Sequence, residues 1–142
     1  MSKVKGVVKQ LHGITFAGKT DSNNWVMMDG PEGFGGSGAA IRPKELLLLS
    51  LGGCTGSDVA SILQKKRIKL DGFEMNIEAD MTEEHPKVYT KINVEYVFYG
   101  KDIKAADVER AIELSQTKYC GVTAMLEKAM EITHSYRIEE SK

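Results

Sequence analysis

The sequence is short of every bulk property that would name a partner. Its 142 residues carry 19 basic and 20 acidic side chains, a net charge of -1, so no excess of either sign is available to hold nucleic acid or an anionic membrane. A long hydrophobic run is missing as well. The longest uncharged apolar stretch, Leu46 to Ser57, falls short of the roughly 20 residues of a bilayer-spanning helix and is expected to be a buried element. Behind Met1-Ser-Lys-Val-Lys-Gly6 there is neither an apolar h-region nor a small-residue cleavage site, so secretion is not indicated and a cytoplasmic home is expected. Only Cys54 and Cys120 represent cysteine, and in a reducing compartment they rest as thiols, which argues against a static disulfide and leaves room for a transient redox pair. The three histidines, His12, His85 and His134, form no metal-ligand pair at short spacing. Zinc would need long-range assembly, and neither metal nor cofactor is expected. What remains, 42% hydrophobic residues in a short chain, fits a single domain over residues 1–142.

The periodicities that are present describe a mixed fold. From Val4 to Asp29, short apolar stretches broken at His12-Gly13 and Asp21-Ser-Asn-Asn24 predict a three-stranded meander. Residues 30 to 40 hold five glycines and no period, and predict a mobile loop rather than an element. Pro43 suits the first turn of a helix that should run to about Arg67. Phe73, Met75, Ile77 and Ala79, and then Val88 through Phe98, alternate with polar residues and predict an antiparallel hairpin. Val108, Ala111, Ile112, Ser115 and Tyr119 recur at helical spacing, a short turn should follow through Leu126, and Ile132 to Ile138 predict a last strand. The order implies an α+β domain, an antiparallel sheet with two main helices rather than a βαβ repeat. Within the first helix, Gly53, Cys54, Ser57 and Ala60 lie on a stripe of small residues, and Gly52 and Gly53 cost about 1 kcal/mol each relative to alanine. Close approach of the second helix or of a partner chain would offset that.

Two motifs imitate nucleotide chemistry. Gly13-Ile-Thr-Phe-Ala-Gly18-Lys19-Thr20 matches a phosphate loop letter for letter, with Asp29 in the place of a magnesium ligand. A phosphate loop needs a helix to start at its lysine, and Asp21-Ser-Asn-Asn24 followed by Trp25 cannot begin one. Gly33-Phe-Gly35-Gly-Ser-Gly38 fits the dinucleotide fingerprint, yet its helix starts too late and Asp58 lies inside that helix instead of at a strand end. Both are set aside. His134, alternating with Ile132 and Tyr136, reads as a hydrogen-bonded core histidine.

The cysteines carry the remaining signal. Cys54 lies on the first helix and Cys120 at the end of the second, so packing those helices together would bring the thiols close; the alternative is two small buried hydrophobes. Three turns into its helix, Cys54 lies beyond the reach of the dipole and needs a cation or donor from elsewhere to become a thiolate. The run Arg42-Pro-Lys-Glu-Leu-Leu-Leu-Leu-Ser-Leu-Gly-Gly-Cys54, the stretch Cys120-Gly-Val-Thr-Ala-Met-Leu126 and the element order resemble the OsmC/Ohr family of small thiol-dependent hydroperoxide reductases. That resemblance implies an intertwined homodimer with its active site near the subunit interface. Cys54 would be the peroxidatic thiol and Cys120 the resolving one. The substrate would be an organic hydroperoxide and the reductant an external dithiol.

Two positions depart from the family's pattern. Its reductases usually place glutamate directly after the proline, where this chain has Lys44 and then Glu45, and they use an arginine from the N-terminal strands, whereas no arginine precedes Arg42. Glu45 is retained as a supporting residue, although a shift of one residue turns a helical side chain by about 100°. The competing reading is a non-enzymatic module of the same fold that binds an apolar small molecule or a protein at the dimer crevice.

Overall fold

Alternation and turn chemistry shape the N-terminal segment as expected. Strands β1 (Gly6–His12), β2 (Thr15–Thr20) and β3 (Trp25–Met28) form an antiparallel meander in that order. The first turn passes through Gly13 at φ 55°, a left-handed conformation that costs glycine little. The residues that imitate a phosphate loop are therefore a hairpin turn and a strand. Lys19 lies in β2, donates to Asn23 and sits 5.0 Å above the Trp25 ring. Every residue of β1 is exposed, and Val8 and Trp25 remain 60% and 52% accessible.

The glycine-rich segment differs from the expected shapeless loop. It contains a 3-10 turn at Glu32–Phe34, and its two ends are tied to the buried Asp29 carboxylate. Oδ1 accepts from Thr15 Oγ1 at 2.9 Å and Gly30 N at 2.8 Å, while Oδ2 accepts from Ser37 Oγ and from Ala39 N at 3.2 Å. Those bonds, the Ser37 hydroxyl first, hold the carboxyl far below its ordinary range.

This computed structural model describes residues 1–140, so the last two residues of the expected domain lie outside the described residues. The chain divides into two compact units, Met1–Leu47 and Leu48–Lys142, with the division inside helix α1 (Glu45–Lys65). In the second unit β4 (Gly72–Met81) pairs antiparallel with β5 (Tyr89–Tyr99), as the alternation predicts. Strand β6 (Glu131–Glu139) adds to the other side of β5 in parallel, which corrects the expected all-antiparallel sheet. The reason is the connection: α2 (Ala105–Leu114) and α3 (Gly121–Leu126) carry the chain back before β6 begins, making a βαβ crossover that element order had argued against. As the middle strand, β5 supplies Ile92, Val94, Tyr96 and Phe98 to the core with no exposed surface.

Against that core α1 lays Leu51, Thr55, Val59 and Leu63, one edge at intervals of four. By length and composition α1 is long and apolar enough to cross a membrane; here its Leu47 and Leu49 are exposed, so the Leu46 to Ser57 stretch is not the fully buried element expected. The close approach to its glycines comes from β4 and not from the second helix. A Cβ on Gly52 would collide with Ile77 Cδ1, and one on Gly56 would stand 2.8 Å from Met75 Sδ, whereas Gly53 faces open space. Buried Val108, Ala111 and Ile112 anchor α2. The helical spacing then breaks at a π turn, Ser115–Tyr119, where Cys120 N donates to Ser115 O at 2.8 Å. That extra residue per turn swings Tyr119 outward to 52% exposure, against the inward place its spacing suggested. The expected turn after Cys120 is the helix α3 instead, with Cys120 Sγ accepting from Thr123 N at 3.3 Å at its start.

Candidate functional site

Cys54 sits in mid-α1, half-buried, and Cys120 lies at the close of the π turn with 3% of its surface exposed. Four residues after Cys54, Asp58 occupies the same face of α1. The Cys54 and Cys120 sulfurs and an Asp58 oxygen all lie within 4.8 Å of one another. The π turn makes this meeting possible, because it brings Ser115 and Cys120 to α1 together. Ser115 Oγ, fully buried, donates to Asp58 Oδ2 at 2.9 Å and fixes that carboxylate.

Behind the thiols stands a polar pair, a buried phenol and a half-buried imidazole. The Tyr96 hydroxyl is 2.8 Å from His134 Nδ1, with the rings stacked at 5.7 Å. Thr55, which donates to the Leu51 carbonyl at 2.9 Å, sits against the same phenol. Burial pushes the Tyr96 phenol well above its ordinary range, and the nearby Cys120 and Asp58 add to that. Burial alone drives the His134 imidazole down to about 4, so at neutral pH the pair is a phenol and an uncharged imidazole. The expected hydrogen bond of His134 is present, but the residue is half-buried at the edge of the core and not enclosed in it.

Cys120 is held as a thiol. Its removal from water raises the pKa above the ordinary cysteine value, and Cys54 reinforces the rise through a hydrogen bond and its charge. The Thr123 amide and hydroxyl act the other way, toward thiolate. That hydroxyl is buried with no nitrogen or oxygen partner of its own. A cavity of about 340 Å³ adjoins the site, lined by Asp58, Ser61, Ile62, Lys65, Leu114 and Tyr119 among others.

Of the residues singled out from sequence, Cys54 and Cys120 come together. Glu45 is placed in the first turn of α1, where its Oε1 accepts from Arg42 N at 2.9 Å. Sequence reasoning passed over Asp58, Ser115, Tyr96 and Thr123. The four-residue step from Cys54 to Asp58 was the available signal; nothing local in the chain marks Tyr96 or Thr123.

A chain of this topology, with a cysteine in its long helix and a second one delivered beside it, has the architecture of OsmC-fold proteins. The chain belongs to the OsmC-like protein family, whose model matches residues 35–135. It is 43% identical over 131 residues to Protein YhfA of Escherichia coli, covering 92% of this chain and 95% of that protein. Among solved structures it is similar to a hypothetical protein from Aquifex aeolicus, with 30% identity, full coverage of both chains and a TM-score of 0.86. It also shares its fold, at 14% identity and a TM-score of 0.70 over 96% of this chain and 97% of the other, with an organic hydroperoxide resistance protein OsmC from Legionella pneumophila.

Proposed function

We propose that this protein is a thiol-dependent peroxidase of the cytoplasm that reduces organic hydroperoxides with Cys54 and Cys120. The supporting observation is the meeting of two cysteines from distant parts of the chain, one half-exposed and the other buried, at a single point beside a cavity. In this reading Cys54 thiolate attacks the terminal peroxide oxygen. An S–O bond forms, the O–O bond breaks, and the alcohol leaves after taking one proton. The Cys54 sulfenic acid then condenses with the Cys120 thiol, releasing water and leaving a disulfide that an external dithiol reduces by exchange. The raised pKa of Cys120 suits the resolving thiol, which must not compete for peroxide. Glu45 takes a supporting part by fixing the first turn of the helix that carries Cys54. The working form is a homodimer, for which the exposed apolar residues of β1 and β3 and the open Gly53 side of α1 argue.

The test is the asymmetry of the two thiols. Wild type treated with cumene hydroperoxide should acquire the intrachain Cys54–Cys120 disulfide. Cys120→Ser should consume about one equivalent of peroxide per subunit and leave a trappable sulfenic acid on Cys54, and Cys54→Ser should consume none. A mass spectrum with both thiols intact, at peroxide levels that oxidise an ordinary free thiol, would defeat the proposal. The departure at the arginine position supports a second reading, a binding module with inert cysteines, and that result would leave it standing.

A further inference from the structure

Two thiols and a carboxylate, one thiol and the carboxylate from mid-α1 and the other thiol from the close of the π turn, converge beside a cavity. We propose that reduced Cys54, Cys120 and Asp58 form a binding site for a thiophilic divalent cation of the zinc class, present only while both cysteines are reduced. The three donor atoms already lie within 4.8 Å of one another. Two sulfurs on one zinc at about 2.3 Å each, in tetrahedral geometry, stand about 3.8 Å apart, so closing the sulfur pair takes at most about 1 Å of side-chain movement.

The surroundings supply what such a site needs beyond its donors. Ser115 Oγ holds Asp58 from behind through Oδ2, an outer-shell contact that orients a ligating carboxylate. The buried Thr123 hydroxyl has no nitrogen or oxygen partner, and the Thr123 amide donates to Cys120 Sγ at 3.3 Å. A thiolate bound to a metal would keep that amide contact, an outer-shell bond of the kind that orients a ligand. Two sulfurs select a soft or borderline ion over magnesium or calcium. Asp58 also lines the adjoining cavity, which leaves a fourth position for water or a small ligand. Binding releases one proton from each thiol, and two-electron oxidation to the disulfide by a hydroperoxide, itself reduced to alcohol and water, removes both sulfur ligands together and expels the ion.

Cobalt(II) reports this directly. Reduced, metal-free full-length protein titrated with Co2+ without oxygen should take up one equivalent per subunit. It should gain a near-ultraviolet sulfur-to-cobalt band with visible tetrahedral bands, and one equivalent of Zn2+ should erase them. Cys54→Ser and Cys120→Ser should each weaken the sulfur band strongly, while Asp58→Asn should keep it and bind at least tenfold more weakly. Absence of the band in reduced wild type would overturn the proposal, as would Asp58→Asn binding as tightly as wild type. Zinc K-edge absorption on wild type gives the same answer without a variant. Two sulfurs with oxygen or nitrogen neighbours are expected, and four sulfurs would mean an ion shared between copies and would overturn the assignment. The peroxidase reading stands apart from this result, because a protein that shows the cobalt band yet keeps both thiols through peroxide treatment has the metal site and not the peroxidase chemistry.

Discussion

His134 shows how one side chain's surroundings set its behaviour. In the folded protein its imidazole titrates at about 4, below the roughly 6.5 of an unfolded chain. Between those two values the unfolded state binds the extra proton, so folding stability falls as pH drops from about 6.5 toward about 4 and is fully present above 6.5. His134→Phe keeps a ring against Tyr96 and removes the titration. Urea unfolding at pH 7 and at pH 5 should therefore show a larger loss of stability in wild type than in the variant, and equal losses would contradict the half-buried neutral imidazole. His134 was legible as a hydrogen-bonded histidine from its alternation with Ile132 and Tyr136. Its partner was not, because Tyr96 meets it across a parallel strand pair whose register only the crossover decides.

The loop between Gly30 and Ala40 carries the lesson at the level of elements. Five glycines and no period predict shapelessness, and composition is blind to a single buried carboxylate that supplies acceptors for Gly30, Ser37 and Ala39. The Ser37 and Ala39 amides should consequently exchange with solvent markedly more slowly than the amide of Gly33, which no bond to Asp29 holds. Because the folded Asp29 carboxyl lies well below its unfolded value of about 4, this tether contributes fully above that pH and is lost as the pH falls further. Asp29→Asn should speed exchange at Ser37 and Ala39 even at neutral pH. Helix α1 was readable from Pro43 and the apolar run behind it, and the β4–β5 hairpin and the last strand from hydrophobic period. The π turn was not, since one extra residue in a helical turn leaves no compositional mark, yet it decides that Tyr119 faces outward and Cys120 inward. Part of the site was therefore visible as two cysteines, the aspartate four residues after Cys54 was overlooked, and the convergence of all three depended on that irregular turn.

At the scale of the whole molecule, Val8, Trp25 and Leu49 are exposed and the Gly53 side of α1 is uncovered, the surface that the proposed homodimer would bury. Sedimentation equilibrium at micromolar concentration should give a dimer, and a folded monomer under those conditions would remove the case for one. The convergence of Cys54 and Cys120 also has a meaning for the unfolded chain. The two residues are 66 positions apart (120 − 54), and the whole β4–β5 hairpin and α2 lie between them. A covalent link would tie that entire segment into a ring after denaturation, and the chain-entropy relation puts the resulting stabilisation at about 4 kcal/mol for a loop of that size. Oxidation should thus raise the melting temperature by several degrees, and an ordinary thermal scan would read the redox state. A fold that melts later after peroxide than before it would carry, in its own stability, a record of the oxidant it has met.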